Sequence, residues 1–180
     1  MAYASFLKRV AASIIDGVIY GFISGIINGI VNAILGFIAG NSNDLGVSLA
    51  FFALSICVSI AVWAAYYAWP ESSEWQATIG KHLIGLRVTD TNGQRVSFWR
   101  AVWRNFAKIF SAIILCIGYL MCIWTEKKQC LHDMMADCLV LDEHPGEKEG
   151  CAWAVILVYL GLILVFIALV FLAVGMLSSH

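Results

Sequence analysis

One carboxylate, Asp16, stands inside an otherwise charge-free stretch running from Val10 to Gly40. A carboxylate near the centre of a membrane helix costs roughly 2.5–3.5 kcal/mol, less towards the interface, so such a group faces a partner or a water-filled cavity. Asp16 lies about six residues, or roughly 9 Å of helix rise, beyond Val10, which is shallow but below the headgroups. Arg9 sits two helical turns earlier on the same face, where the two side chains can meet directly or through water. Ser13 and Tyr20 share that stripe. Two chemistries fit the pair: a structural clamp that fixes helix depth, or a site at which a monovalent cation or a proton is exchanged.

Other spacings on the chain suggest packing and surface chemistry. Gly17, Gly21, Gly25 and Gly29 recur every four residues and are followed by Ala33. This spacing cuts a groove along one side of a helix and lets a second backbone approach, from this chain or from another protomer. Asn28 and Asn32 flank the groove and can hydrogen-bond across it. Arg100, Arg104 and Lys108 repeat at the same interval among Trp99, Trp103 and Phe106, on a segment that Ser97 can cap. That pattern predicts a basic amphipathic helix at the membrane surface with its cations on lipid phosphates.

Several familiar sites are excluded. "TIGKH", Thr78–His82, lacks the phosphate loop's earlier glycine, since Trp75 occupies that position, and has His82 where Ser or Thr must follow the lysine. Cys130, His132, Cys138 and His144 follow no standard zinc spacing. No serine, histidine and carboxylate lie close enough in sequence to suggest a nucleophile. Neither a metal nor another cofactor is expected, and enzymatic activity is not.

The elements that must hold these residues are membrane helices. The 180-residue chain is 61% apolar with a mean hydropathy of +0.84, and only 13% of it is charged, against roughly 25% for an average soluble domain. Charges are also missing from Val47–Trp69, Ile109–Thr125 and Cys151–His180. A span needs about 20 mainly apolar residues, which the first, second and last runs supply. The third, Ile109–Trp124, is short and contains Gly118, so it is either a short span or a re-entrant hairpin buried in protein. The first run follows Lys8-Arg9 and is about twice the length of a signal-peptide core, so it is expected to stay as an anchor. The six cysteines (57, 116, 122, 130, 138 and 151) include no CxxC pair and are read mostly as small core residues.

Lys and Arg in short loops mark the cytoplasmic side. In a protein integral to the cytoplasmic membrane, the N-terminus and the basic connection after Pro70 are therefore expected on the cytoplasmic side, and the loop "NSNDLG" outside. Within the connection, Leu86–Asp90 and Gln94–Ser97 are predicted to form a hairpin turning at Asn92-Gly93. "CLVLD", Cys138–Asp142, looks like another strand. If it pairs with "LRVTD", the third apolar segment must turn back; if it does not, that segment crosses.

The fold expected is thus an all-α membrane protein with three to four hydrophobic helices, a small cytoplasmic β-hairpin and an amphipathic helix. Residues 1–142 form the membrane domain, and residues 143–180 a linker with an additional C-terminal transmembrane helix.

Three blocks, in order, resemble the RDD family of small membrane proteins. In "FLKRVAASIIDGVIYG" the family's arginine is similar to Arg9 and its first aspartate to Asp16. The central stretch is represented by Thr78, Gly80, Lys81, Gly85, Arg87, Val88, Gly93, Ser97 and Arg104. In "CLHDMMADCLVL" the second aspartate is similar to Asp133, with Asp137-Cys138 departing from the small residue and threonine common there. The resemblance implies a role in transport, with ion or proton exchange proposed for some members, and groups Arg9, Asp16 and Asp133 as one ion site or charge cluster. The expected function is movement of an ion or small solute, with Asp16 as the exchanging carboxylate and Arg9 as its tuning partner. The alternative is a non-transporting scaffold that binds other membrane proteins or anionic lipids. The partners expected are the lipid bilayer, a monovalent cation or proton, and further copies or a larger membrane complex. No nucleic acid is expected.

Overall fold

The computed structural model describes residues 2–39, 44–113 and 117–178. A two-residue strand, β1 (Ala2–Tyr3), leads into α1 (Phe6–Ala39). Of the loop between the first two spans, residues 41–43 lie outside the described residues. Its single aspartate, Asp44, caps α2 (Leu45–Trp63), accepting 2.7 Å from the Gly46 N–H. The helix then widens into a π turn (Ala64–Ala68) before α3 (Trp69–Ser72). Pro70 has no N–H to give to the carbonyl four residues back, and the Trp69 N–H reaches the Ala64 carbonyl, one residue further than in an α-helix. With α8 (Glu149–Ser178), these are, among the described residues, the three helices long and apolar enough to cross a membrane.

Between the second and last spans lies a compact collar. α4 (Ile79–Ile84) ends on Gly85 at φ +83°, a conformation that glycine adopts without steric cost. β2 (Leu86–Asp90) follows, then α5 (Phe98–Ile113), α6 (Ile117–Leu120), a 3₁₀ turn (Met121–Ile123), α7 (Leu131–Met135) and β3 (Cys138–Asp142). The sheet order is β1-β3-β2, antiparallel throughout, with Leu86 opposite Asp142 and Asp90 opposite Cys138. Leu86, Val88, Val96, Cys138 and Val140 are buried beneath it with Ala11 and Ala12 of α1.

The hairpin expectation needs a correction. The Asn92-Gly93 turn forms, with Gly93 at φ +78° and the Asp90 N–H donating 2.9 Å to the Gln94 carbonyl. Residues 94–97, however, form no strand. One edge of β2 pairs with β3, and Gln76 takes hydrogen bonds on the other, its carbonyl accepting 2.7 Å from the Val88 N–H. Ser97 instead caps α5, its Oγ accepting 3.4 Å from the Arg100 N–H.

The β2–β3 pairing also decides the third apolar segment. Its two flanks meet in one sheet, and Gly118 lies against Ser111 so closely that an added Cβ would sit 2.8 Å from the Ser111 Cα. The segment turns back and is re-entrant. The start of α1, the end of α3, the sheet and the start of α8 therefore share one side of the molecule. Lys8 joins two of these parts, its Nζ donating 2.7 Å to Asp142 and 3.0 Å to the His144 carbonyl. α8, the additional C-terminal helix expected, packs along α1 with Ala152 fully buried.

Candidate ion and solute site

Asp16 is buried where α1 meets α4. Its carboxylate accepts from the Tyr66 hydroxyl at 2.9 Å, the Thr78 Oγ1 at 2.5 Å and the Gly80 N–H at 2.8 Å. Thr78 stands at the N-cap of α4 but spends its hydroxyl on Asp16, and Asp16 in turn holds the first turn of that helix. Gly80 makes this approach possible, because a Cβ there would lie 2.4 Å from the Ala12 carbonyl oxygen. The π turn presents Tyr66 to Asp16 and Tyr67 to Tyr20, with the latter rings 5.4 Å apart.

Arg9 does not pair with Asp16. Its Nη1 donates 2.6 Å to Asp133 and its Nη2 2.7 Å to the Lys128 carbonyl. Asp133 also receives Arg104 at 2.9 Å, and Arg104 is paired on its other side with Glu71. Glu71 takes Lys81 as well, together with the Asn105 amide at 3.0 Å. The result is one buried chain of charges, Arg9–Asp133–Arg104–Glu71–Lys81, that ties α1, α7, α5, α3 and α4 together. Burial alone would raise the Asp133 pKa, but Arg9, His132 and Arg104 outweigh it and hold the carboxyl well below the usual range. Arg104 is raised despite burial, by Glu71 and Asp133. Lys81 is lowered, by burial and by Arg104. His132, buried under Tyr119, is pushed down to about 3 and stays neutral.

The surface role expected of Arg100, Arg104 and Lys108 is corrected by this geometry. Arg104 is 1% exposed and faces the two buried acids. Arg100 donates to the Ala136 and Asp137 carbonyls at 2.6 and 2.8 Å. Lys108 donates 2.5 Å to Asn105 Oδ1 and lies 5.2 Å from the Tyr67 ring centre. It is Trp99, Trp103 and Phe110 that point outwards, while Phe106 and Ile109 turn to the cavity between α5 and the first two spans. The helix is amphipathic as predicted, but with its basic face inward: buried carboxylates attract the cations more strongly than distant headgroups do, and the apolar face is left for lipid.

Above the charge chain opens a cavity of about 1260 Å³ between α1, α2, α5 and the re-entrant segment. Arg9, Asp16, Lys81, Arg104, Lys108 and His132 reach its wall, so two of the three charges singled out on sequence face one space while Asp133 lies behind them. Cys130, His132 and Asp133 bring possible ligand atoms within 4.8 Å of one another. Cys138 and His144 are not in that group, and the guanidinium groups of Arg9 and Arg104 already occupy Asp133, which disfavours a further cation there. Cys122, Cys130 and Cys138 are buried as expected, whereas Cys57 and Cys151 are exposed and Cys116 lies outside the described residues.

A model of the RDD family matches residues 3–137, three quarters of the chain. The chain belongs to the RDD family. It is 37% identical over 95 residues to "Uncharacterized protein YxaI" of Bacillus subtilis, covering 53% of this chain and 62% of that one. It is 27% identical over 106 residues to the "Proline-rich antigen" of Mycobacterium leprae, covering 58% and 41% respectively. A "Proline-rich antigen homolog" of Mycobacterium tuberculosis matches at 36% over 58 residues, covering 32% and 24%. The chain therefore spans less than two thirds of each of these relatives. No solved structure matches it significantly.

The RDD motif residues divide into two connected fastenings. Asp16 binds Thr78 and Gly80 of the central block, while Asp133 binds Arg9 and Arg104. Lys81 of the same block reaches Glu71. Sequence reasoning missed Glu71, Asn105 and Tyr66. Glu71 carried a signal that went unused, an acid set directly against the end of a charge-free span; Asn105 and Tyr66 carried none.

Proposed function

We propose that this RDD protein is an integral protein of the cytoplasmic membrane that moves an ion or small solute through the cavity beneath α1. The observation that carries the reading is the cavity wall itself, where charged side chains from α1, α4 and α5 meet beside apolar side chains of the first two spans. Such groups are costly in lipid and belong to sites or pathways more often than to plain anchors. Asp16 is the one carboxylate among the described wall residues, and so the group for which a proton or monovalent cation competes. The test is flux of Na⁺, K⁺ and H⁺ into proteoliposomes. Wild-type protein carries at least one of them, Asp16→Asn abolishes it, and Tyr66→Phe, which removes one of three donors, lowers it without abolishing it. No flux in the wild type refutes the reading.

A second reading, a scaffold that self-associates, is favoured by the glycine face. A Cβ added at Gly17, Gly21, Gly25 or Gly29 would meet nothing within 4 Å. Within the chain, α1 and α2 are instead bridged by Ser59 to Asn28 and Ser55 to Asn32, both 3.0 Å. The glycine groove is thus open to a second copy. Replacing Gly21 and Gly25 by leucine should reduce a dimer to monomer on size-exclusion with light scattering, and an unchanged mass refutes this. The orientation we favour has the N-terminus and sheet in the cytoplasm, where Lys8 and Arg9 lie. Cys151, exposed where α8 begins, is then unreactive to an impermeant maleimide in intact cells, and labelling there would invert the topology.

A further inference from the structure

We infer that the cavity under α1 binds an anionic amphiphile, a molecule with a phosphate or carboxylate head and an acyl tail. The inference goes beyond the transport reading and holds for a chain that moves no ion.

The charge on the wall is one-sided. Arg9, Lys81, Arg104 and Lys108 face the cavity, whereas Glu71 and Asp133, the acids that pair with three of them, stand behind the wall. The fifth charge, Asp16, is already held by three donors. Lys108 forms no ion pair among the described residues; it has only the Asn105 oxygen and the Tyr67 ring. Burial and the neighbouring Lys81 push its pKa down to about 7, the mark of a cation short of an anion. Nε of Arg104, a side chain 1% exposed, has no hydrogen-bond partner among the described residues, and neither has Nε of Arg9. Buried donors of this kind are seldom left unmade. An oxyanion beside Lys108 is the acceptor that would answer this unpaired cation.

The rest of the wall chooses the tail. Val10, Ile14 and Val18 of α1 face Ile56 and Ile60 of α2 across the same space, with Ile109 of α5 beside them. A free inorganic anion would leave that half unfilled, whereas an alkyl chain lies along it with its head at Lys108.

The proposal is tested on the full chain in a neutral maltoside detergent, by thermal unfolding and native mass spectrometry with added dodecyl phosphate. We expect a single bound dodecyl phosphate and a concentration-dependent rise in Tm, with dodecylphosphocholine and inorganic phosphate at the same concentration giving far smaller shifts. Lys108→Gln should weaken apparent affinity by about tenfold, the loss of one charge-assisted contact, and Lys108→Arg should restore it. Circular dichroism first establishes that the variants are folded; if Lys108→Gln is not, the comparison of the three additives on wild-type protein decides. Equal shifts from inorganic phosphate would make the site one for free anions and overturn the amphiphile. Equal shifts from dodecylphosphocholine, or unchanged affinity in folded Lys108→Gln, would overturn the anion. Binding without ion flux would refute transport and leave this inference standing.

Discussion

Replacing Arg104 by glutamine separates the structure from the surface-helix expectation. On a helix whose cations rest on lipid phosphates, the loss of one arginine is a surface event of at most about 1 kcal/mol. Arg104 is instead 1% exposed and sits between two buried acids, Glu71 and Asp133, the latter 2.9 Å away. Breaking a buried pair from one side costs about 3–5 kcal/mol, because a charge is left uncompensated in a poor solvent. Here neither acid is wholly abandoned. Glu71 keeps Lys81 and the Asn105 amide, and Asp133 keeps Arg9 at 2.6 Å. The expectation is therefore the lower end, about 3 kcal/mol, or about 6–12 °C in Tm for a chain of this size.

The assay is thermal unfolding in maltoside micelles, with Arg100→Gln on the same helix as reference. Arg100 gives up two hydrogen bonds to backbone carbonyls from a half-exposed position, worth about 1–2 kcal/mol together. Arg104→Lys should recover only part of the loss, since an ammonium cannot span two carboxylates as a planar guanidinium does. Adding Arg104→Gln to a Glu71→Gln background should cost measurably less than adding it to wild type, because the two side chains share one interaction. If Arg104→Gln is no more harmful than Arg100→Gln, or if the two substitutions simply add, the buried charge chain is wrong.

Two further substitutions test the other fastenings. Gly80→Ala places a Cβ 2.4 Å from the Ala12 carbonyl oxygen and 2.9 Å from the Asp16 carboxyl, so α4 must move off α1; we expect about 3 kcal/mol of destabilisation, and a well-folded variant of wild-type Tm would remove Gly80 from the contact. For His132, burial depresses the folded pKa from 6.5 to about 3, so the unfolded chain binds the extra proton between those values. That contribution to stability is complete above pH 6.5 and is lost as pH falls towards 3, with a slope of at most about 1.4 kcal/mol per pH unit. His132→Gln should flatten the Tm profile over that window, and an unchanged slope would refute the assignment.

Much of the fold was legible because it rests on patterns local to the chain. The charge-free runs gave the three spans, Ser97 its cap, and Asn92-Gly93 its turn. Short apolar length and the two strand-like flanks pointed to the re-entrant third segment. The errors share a cause: each needed a partner distant in sequence. Spacing showed that Arg9 and Asp16 share a helical face, but Asp133 lies 124 residues from Arg9 and captures it. Periodicity correctly gathered Arg100, Arg104 and Lys108 on one side of a helix, but it carries no information on which side faces inward. That depended on Glu71 and Asp133, which reach the helix from two other elements. The strand at Gln94–Ser97 was likewise displaced by Gln76 and β3, which occupy both edges of β2.

The division of labour between the two motif aspartates bears on what the cavity can do. Asp133 is held by two guanidinium groups, and its pKa lies below the usual carboxylate range, so at physiological pH it stays ionised and does not exchange protons. Asp16 is bound only by neutral donors: a phenol, a hydroxyl and a backbone N–H. Neutral donors balance no charge, so a monovalent cation at this carboxylate would displace no resident ion pair. Its two side-chain donors are hydroxyls, which can rotate and themselves accept, whereas the Gly80 N–H cannot. Any exchange at Asp16 therefore keeps the bond to Gly80 and rearranges those to Tyr66 and Thr78, leaving α4 docked. That predicts an asymmetry between the two hydroxyls. Tyr66→Phe removes a donor that comes from the second span and should lower flux without loosening the collar. Thr78→Val removes the buried hydroxyl by which α4 is fastened to Asp16 of α1, and should reduce stability by about 1–2 kcal/mol together with flux. Equal stability losses from both would mean that Tyr66 is as structural as Thr78, and that Asp16 is a fastening rather than an exchange site.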